Sequence, residues 1–452
     1  YRGATHIGKL GLEAVYENEL HGRNGFEEVE TDAGGRAVRS LRRTPPVHGN
    51  NLKLALDIRV QEVADKLFGQ RRGALVAIDP QTGGVLAFVS KPGFDPNLFI
   101  DGIDSATWKS LNEDWQKPLV NRALRGLYPP GSTFKPFMAM AALQAGAIGP
   151  YDVRPAPGYF TLPGSSHQFR DSNPRGNGMV NIGKAIAVSS DTFFYRLAWD
   201  MGIDRIHPLV GQFGLGAKTG IDLDGEASGV LPSKAWKEKR FARYKPEVRR
   251  WYPADVVSVG IGQGFNAYTP LQMANATAIL AADGKVFHPH LVQEITEAGS
   301  GKVRLVEPKP VRTLAFRPEL YTHVKDGMVA VMRPGGTAAR LAAGLTYTMA
   351  GKTGTAQVVQ IKQGAKYNAA ALAEQYRDHS WFIAFAPVEA PRIAIAVIVE
   401  NAGFGAASAA PIARAVSDFA LTGKVPADLK GKLITMPEPA QAGDKQDASA
   451  AQ

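Results

Sequence analysis

The chain has 452 residues, enough for two or three domains at roughly 150 residues each, and its 44% hydrophobic and 21% charged content is typical of a globular protein. It contains no cysteine, which excludes a thiol nucleophile, a disulfide framework and any metal site with cysteine ligands. The formal net charge is +10, but the basic residues are spread along the chain, and no motif of nucleic-acid recognition accompanies them. We therefore predict a solvated basic surface and no nucleic-acid partner.

Residues 1–50 are polar and rich in glycine, with one short amphipathic helix predicted over residues 8–20, and we interpret them as the remnant of a small accessory module. The polar, glycine-rich composition ends near residue 51. Alternating and apolar runs then predict a strand at 52–57, a helix at 58–68, and a hairpin of strands at 74–78 and 85–89.

The stretch from about 105 to 345 is predicted to be mostly helical, after which strands return. The later predicted elements are strands at 348–359, 380–387 and 392–400 and a helix at 411–421. Strands at both ends of a helical insert predict an α+β domain over 51–425, with its active site at the seam between sheet and helices. Residues 426–452 have almost nothing to bury and are predicted to be a disordered tail.

No segment approaches the ~18 apolar residues that a transmembrane helix needs. The sequence also opens at Tyr1 without methionine or a signal peptide. We therefore expect it to be part of a longer protein whose membrane anchor lies outside this sequence.

The first chemical motif is S-x-x-K at residues 132–135, which follows a Pro-Pro-Gly segment and leads into an apolar helical run. Three residues apart on a helix, Ser132 and Lys135 would lie on the same face, within hydrogen-bond reach. A serine needs a base to become a nucleophile, and a lysine serves as that base only where its pKa is lowered. Alone, the motif is a weak signal and is better explained as a helix N-cap followed by a surface lysine.

Two further motifs follow in order: the polar triplet at residues 189–191, which contains Ser189 and Asp191, and the K-T-G-T sequence at residues 352–355. Each alone also fits a helix cap or a glycine-rich strand edge. S-x-x-K, S-x-[ND] and K-[TS]-G in this order, however, are the signature of penicillin-binding proteins and class A β-lactamases. The three together predict a serine acyl-transferase with Ser132 as nucleophile.

The chain resembles the class B high-molecular-weight penicillin-binding proteins over residues 1–422, and among them the elongation-type branch, penicillin-binding protein 2. The blocks that carry the resemblance are residues 1–9, 128–136, 190–195, 259–264 and 352–357. The resemblance implies a central antiparallel sheet with a helical subdomain, and it implies that residues 1–50 are the end of a pedestal, or dimerisation-like, module.

The resemblance also implies peptidoglycan D,D-transpeptidation, with a D-Ala-D-Ala carboxypeptidase side activity. Ser132 would attack a stem peptide and be acylated by β-lactams, with Lys135 as general base. Ser189 and Lys352 would relay a proton to the leaving group.

Substrate-binding roles in the resemblance fall on Thr353, Gly354 and Thr355. Lys352 and Thr353 would hold the terminal carboxylate, and the N–H groups of Ser132 and Thr355 would form the oxyanion hole. Asp191 stands where the broad family has asparagine, although aspartate is usual in the elongation branch. Its charge should raise the pKa of Lys135, so other neighbours must permit deprotonation.

The implied partners are peptidoglycan stem peptides, β-lactam antibiotics, a membrane-embedded glycan polymerase and other rod-elongation proteins. The implied location is the bacterial inner membrane, with a single-pass anchor and the catalytic domain in the periplasm. No cofactor is implied.

Three alternatives stay open on the sequence. A serine β-lactamase shares the fold but needs a second base to activate water, and no glutamate stands in a recognisable position for it. A non-catalytic β-lactam sensor or wall-binding scaffold would keep Ser132 without turnover. His167 and Asp171, four residues apart with Asp152 upstream, also admit a metal site, but two nearby ligands favour a solvated loop, and we predict no metal.

Overall fold

The computed structural model describes residues 7–359 and 371–433. Most of the predicted C-terminal tail, from residue 434 onwards, therefore lies outside the described residues. The start of that tail differs from the expectation, because Ala427–Leu429 form a 3-10 turn with Leu429 buried.

The α-helices of the described residues, in chain order, are α1 Gly11–Val15, α2 Glu17–Leu20, α3 Ile58–Phe68, α4 Ser105–Glu113, α5 Arg122–Arg125, α6 Lys135–Gln144, α7 Ile182–Ala187, α8 Asp191–Met201, α9 Ile203–Gly211, α10 Lys234–Arg240, α11 Pro246–Arg249, α12 Pro253–Val259, α13 Pro270–Ala281, α14 Glu319–Val331 and α15 Ala409–Thr422.

The strands are β1 Phe26–Thr31, β2 Ala37–Thr44, β3 Asn51–Leu54, β4 Gly73–Ile78, β5 Val85–Lys91, β6 Arg154–Ala156, β7 Tyr159–Thr161, β8 Gln168–Arg170, β9 Gly178–Val180, β10 Lys285–Val286, β11 Val292–Thr296, β12 Val303–Leu305, β13 Arg312–Thr313, β14 Ala350–Ala356, β15 His379–Ala386 and β16 Ile393–Val399.

The main sheet has five antiparallel strands in the order β14-β15-β16-β4-β5. Its central strands β16 and β4 are continuous apolar runs, and every residue in them is buried. Such runs form strands that are covered on both faces. Here α3 and α15 contact each other on one face, while α13 covers the other. The predicted α+β fold is confirmed, with β4-β5 and β15-β16 as its two hairpins.

The helical part surrounds α6, in which nine of ten residues are buried. A helix that is apolar on all sides needs neighbours all round it, and α6 receives them from α7, α8, α9 and α14. Helix α14 also packs on β14, so the helical part and the sheet meet along that edge strand.

The N-terminal part differs in detail from the sequence expectation. The helix predicted over 8–20 is broken at Tyr16 into α1 and α2. The hairpin β1-β2, which the sequence did not predict, is almost entirely exposed. Strand β3 pairs with β11, which ties this part to the rest of the chain. Among the described residues, no helix has the length and apolar character needed to cross a membrane.

Candidate active site

Ser132 lies in a 3-10 turn, Gly131–Phe134, that leads directly into α6. The turn is fixed from outside, because Gly131 N–H donates to Gly262 O at 3.0 Å. Gly131 has φ +54°, and a Cβ there would lie 2.5 Å from Thr355 O. Only glycine fits both that conformation and that approach. The partly exposed Ser132 therefore lies at the N-terminus of a buried helix, next to the end of β14.

Lys135 is fully buried and directed at the S-x-D motif. Its Nζ donates to Ser189 O at 2.7 Å and to Ser189 Oγ at 3.2 Å, and it lies 2.6 Å from Asp191 Oδ1. An ammonium has three protons to donate, and these acceptors use all three. The geometry therefore matches a protonated Lys135 in an ion pair with Asp191.

Ser189 connects α7 to α8 in a left-handed conformation, with φ +58°. A residue other than glycine in this region carries a backbone strain of about 1–3 kcal/mol and persists only where the surroundings hold it. The conformation turns both the carbonyl and the hydroxyl of Ser189 towards the lysines. Ser189 Oγ lies 3.2 Å from Lys135 Nζ and 2.9 Å from Lys352 Nζ, so one hydroxyl bridges two amines.

Lys352 is fully buried on β14, where it also donates to Thr353 O at 3.0 Å. Burial lowers the pKa of Lys352 well below its usual value, and the positive charge of Lys135 lowers it further, while Asp191 opposes the shift. Asp191 is bound to Lys135 and does not contact Lys352. The surroundings therefore favour the neutral amine at Lys352.

The predicted substrate-binding residues follow Lys352 on the same strand. Thr353 Oγ1 lies 2.8 Å from Thr337 Oγ1 at the rim of the cleft. Gly354 faces the nucleophile turn, since a Cβ there would lie 2.8 Å from Thr133 Cγ2. Thr355 O accepts from Gln263 Nε2 at 3.1 Å. The structure thus places all eight predicted catalytic and substrate-binding residues on adjoining segments: the turn that carries Ser132 and the start of α6, the connection into α8, and β14.

The cleft also contains residues that the sequence did not single out. Gln263 lies in one of the blocks that carry the resemblance, so a signal for it existed, whereas Thr337 follows an ordinary Pro-Gly-Gly turn and offers none. Behind the nucleophile turn, Tyr128 Oη donates to Glu400 Oε1 at 2.6 Å, and Arg122 Nε donates to the same oxygen at 2.8 Å.

The Glu400 carboxylate is ionised. Burial alone would raise the pKa of Glu400, but hydrogen bonds from Tyr128 and Arg122 and the charge of Arg122 outweigh it and lower the pKa. A charged acceptor makes the stronger hydrogen bond. Glu400 therefore anchors the segment that carries Ser132 from its N-terminal side.

The three residues weighed as metal ligands are separated by their environments. Asp152 is exposed and accepts from Gly149 N at 2.7 Å, and His167 is exposed beside Phe169. Asp171, expected in a solvated loop, is instead buried, with 6% of its surface exposed. In the described ranges 7–359 and 371–433, no three His, Asp or Glu side chains are grouped to hold a metal ion.

Comparison with known proteins identifies the family of the chain. A family model described as the penicillin-binding protein transpeptidase domain matches residues 73–418, and one described as the penicillin-binding protein dimerisation domain matches residues 1–54. The chain belongs to the penicillin-binding protein transpeptidase family.

Curated members of this family include proteins named peptidoglycan D,D-transpeptidase MrdA. The protein of Escherichia coli K12 is 45% identical over 428 residues, which cover 94% of this chain and 66% of the relative. That of Acinetobacter baumannii is 45% identical over 93% of this chain and 61% of its own length. The chain thus spans just under two thirds of the length of these relatives.

Solved structures of penicillin-binding proteins share the fold. PBP2 of Pseudomonas aeruginosa in complex with WCK 5153 has a TM-score of 0.78 and 41% identity, over 93% of this chain and 84% of that chain. PBP2 of Helicobacter pylori in a complex with MreC has a TM-score of 0.78 and 31% identity, over 92% of this chain and 73% of that chain.

Proposed function

We propose that this chain is a peptidoglycan D,D-transpeptidase of the elongation type, which forms a serine acyl-enzyme at Ser132. The observation that carries the proposal is the hydroxyl of Ser189, which bridges the buried amines of Lys135 and Lys352. Two amines joined by one hydroxyl form a proton path, and acyl transfer from a serine needs such a path. The names of the curated relatives support the same activity.

Lys135 must lose a proton before it can act as the general base. Neutral Lys352 accepts the hydroxyl proton of Ser189, and Ser189 Oγ takes a proton from Lys135 in exchange. The net result moves one proton from Lys135 to Lys352 over contacts of 3.2 and 2.9 Å. Because burial disfavours a proton on Lys352 and Asp191 favours one on Lys135, this exchange produces neutral Lys135 as an activated minor state, from which acylation proceeds.

Acylation then starts from neutral Lys135 and protonated Lys352. Ser132 Oγ bonds to the carbonyl carbon of the terminal D-Ala–D-Ala bond and gives its proton to Lys135. The oxyanion is stabilised by the N–H groups of Ser132 and Thr355. When the C–N bond breaks, its electron pair stays on nitrogen, and Lys352 supplies a proton through Ser189 to the departing D-alanine.

In the second half-reaction, a neutral amine of a neighbouring stem peptide attacks the ester carbon and gives up a proton through Ser189 to Lys352. The C–O bond to Ser132 breaks, and Ser132 Oγ takes a proton back from Lys135, so the two peptides are cross-linked and the enzyme is restored. Lys352 and Thr353 hold the carboxylate of the donor, with Thr337 beside them. A β-lactam enters by the same attack, but its leaving nitrogen stays tethered through the opened ring. The acyl-enzyme formed with a β-lactam is therefore long-lived.

We also propose the cellular setting implied by the resemblance. Residues 1–50 form the end of a pedestal module, and residues 51–425 form the transpeptidase domain. An anchor in the inner membrane outside this sequence would hold the catalytic domain in the periplasm. A PBP2 structure with MreC and a peptidoglycan synthase complex at 29% identity support partners of the elongation machinery.

The test is intact-protein mass spectrometry after treatment with penicillin. The proposal predicts one adduct, located at Ser132 by peptide mapping, and none in Ser132→Ala. An adduct at another residue would contradict it.

The lifetime of that adduct separates transpeptidase from β-lactamase. We expect the penicilloyl-enzyme to persist for many minutes, because the leaving nitrogen of the β-lactam stays tethered in the site, and loss within seconds would favour a β-lactamase. In cells, Ser132→Ala as the sole copy should abolish rod shape, and normal rods would favour a non-catalytic scaffold.

A further inference from the structure

Asp171 is a buried carboxylate that the proposed reaction does not use. It lies at the end of the hairpin β7-β8, about twenty residues before the S-x-D motif, and its surroundings are polar. Burying an ionised carboxylate is unfavourable unless several donors compensate it. Its partners therefore indicate what the carboxylate is for.

One carboxylate oxygen of Asp171 binds the start of α8. Oδ2 accepts from Thr192 N at 3.0 Å and from Ser190 Oγ at 3.1 Å. Ser190 is the N-cap residue of α8, but its own side chain makes no capping bond. Asp171 thus supplies from another segment the acceptor that a helix N-terminus requires.

The other oxygen holds the turn that follows Asp171. Oδ1 accepts from Asn173 N at 3.0 Å and from Asn177 Nδ2 at 3.3 Å. The same turn directs Ser172 N–H to Asp191 Oδ2 at 3.3 Å, on the side of the Asp191 carboxylate opposite Lys135. Asp171 therefore binds Ser190 and Thr192, the residues immediately before and after Asp191.

Resting on the proposed function, we infer that Asp171 is a positioning residue that holds Ser189 and Asp191 against Lys135. The strained φ of +58° at Ser189 persists only where neighbouring residues are held in place. Asp171 supplies that support by binding the hydroxyl of Ser190, the next residue in the chain. Without the carboxylate, Ser189 relaxes and its carbonyl moves away from Lys135. Asp191 also loses the backbone donor of Ser172.

The effect should be visible in the pH dependence of acylation, because Asp191 contacts Lys135 and its charge opposes the lowered pKa of Lys352. The titratable groups around Asp191 are Lys135, Lys352, Asp171 and Tyr195. Burial, and then the charges of Asp191 and Asp171, raise the pKa of Tyr195 far above its usual value, so this side chain stays neutral. A displaced Asp191 therefore acts on the profile through the two lysines.

The test compares acylation by a fluorescent penicillin in the wild-type chain, Asp171→Asn and Asp152→Asn. In Asp171→Asn an NH₂ group replaces one carboxylate oxygen, so the hydrogen-bond donors that bind that oxygen in the wild-type chain would face another donor. We expect the second-order acylation rate to fall about tenfold or more, and the pH–rate profile between about pH 5 and about pH 10 to shift. Asp152→Asn removes the same charge from an exposed turn and should leave both unchanged.

Rates are normalised to the fraction of each protein that is folded and can be labelled by the penicillin, so that lower stability alone does not count as an effect. A slower variant with an unshifted profile would mean a merely structural role and would overturn the inference, as would a wild-type rate. If Asp171→Asn does not fold, Ser190→Ala removes one donor and leaves the carboxylate in place. It should shift the profile in the same direction with a loss of about threefold, and an unshifted profile there would also refute the inference. Failure of the proposed function itself would appear separately, as absence of a Ser132 adduct in the wild-type chain.

Discussion

Lys352 and Ser189 approach each other to 2.9 Å across the cleft, but the elements that carry them are built differently. Lys352 lies on β14, whose seven residues are all paired with β15 in a continuous register. Ser189 lies in the three-residue connection 188–190 between α7 and α8, and side chains of the segment after β8 hold the neighbouring residues in place. We call β14 the strand wall of the site and residues 188–191 its loop wall. The strand wall is fixed by a repeated pattern of backbone hydrogen bonds, whereas the loop wall depends on individual polar side-chain contacts.

The difference has a physical consequence. A ladder of backbone hydrogen bonds is redundant, so the loss of one side chain leaves its geometry intact. In the loop wall, Ser189 and Ser190 each donate one backbone hydrogen bond, to Ile186 O and Ala185 O, and the other contacts are made by individual side chains, which no repeated pattern can replace. Changes of backbone or volume should therefore damage the strand wall, whereas removal of a single charge should damage the loop wall.

The largest effect is expected from adding volume on the strand wall. Gly354→Val places a side chain where even a Cβ would lie 2.8 Å from Thr133 Cγ2 and 2.9 Å from Pro130 O. The turn that carries Ser132 must then move, and penicillin acylation should fall about 10²-fold or more. Gly299→Ala, where an added Cβ meets nothing within 4 Å, should leave the rate unchanged. A wild-type rate in Gly354→Val would mean that the strand does not set the position of the nucleophile.

The next effect is on stability, from the loop wall. Asp191→Asn leaves the fully buried ammonium of Lys135 without its counter-charge and should lower the free energy of unfolding by about 3 kcal/mol. The matched control is Asp204→Asn, whose partner Lys234 is 58% exposed, and its loss should stay below about 1 kcal/mol. Urea unfolding of the two variants measures the difference, and equal losses would contradict the account.

A substitution at Lys352 should change the free energy of unfolding by less, and should raise it. Because the folded state lowers its pKa, the unfolded chain binds more protons below the usual lysine value of about 10.4, and wild-type stability rises with pH in that window. Lys352→Met removes this unfavourable burial and should raise stability near neutral pH by about 1 kcal/mol, while acylation is lost. Urea unfolding across the pH range would show a smaller slope in the variant. A destabilised variant would show that the bonds of Lys352 to Ser189 and Thr353 outweigh its burial.

The same contrast separates what the sequence could predict from what it could not. Both hairpins of the sheet were predictable, because β4 and β16 are apolar runs with clear turn signals. The three motifs were predictable as a set, since their order and their helix or strand contexts agree. The left-handed Ser189 was not, because nothing in a Ser-Ser-Asp triplet distinguishes it from an ordinary helix cap.

Asp171 and Glu400 show why other residues around the site could not be predicted from the sequence. Glu400 has donors from a distant segment, and Asp171 combines local donors with others from Ser190 and Thr192, about twenty residues on; neither hydrophobic periodicity nor motif spacing records such partners. Asp171 was expected in a solvated loop because the segment around it is polar. Its burial depends on Ser190 and Thr192, which only the fold brings to it. The exposed hairpin β1-β2 was missed for a related reason, since its charged strands bury no face that would give a period of two.

The most direct test of the central claim supplies both substrates together: a stem pentapeptide ending in D-Ala–D-Ala and a peptide amine as acceptor. Mass spectrometry of the products should find the donor joined to the acceptor with loss of one D-alanine, and a transient acyl ester on Ser132. Ser132→Ala should form neither species. Joined product from Ser132→Ala, or a wild-type enzyme that never transfers the donor to the amine, would contradict the account.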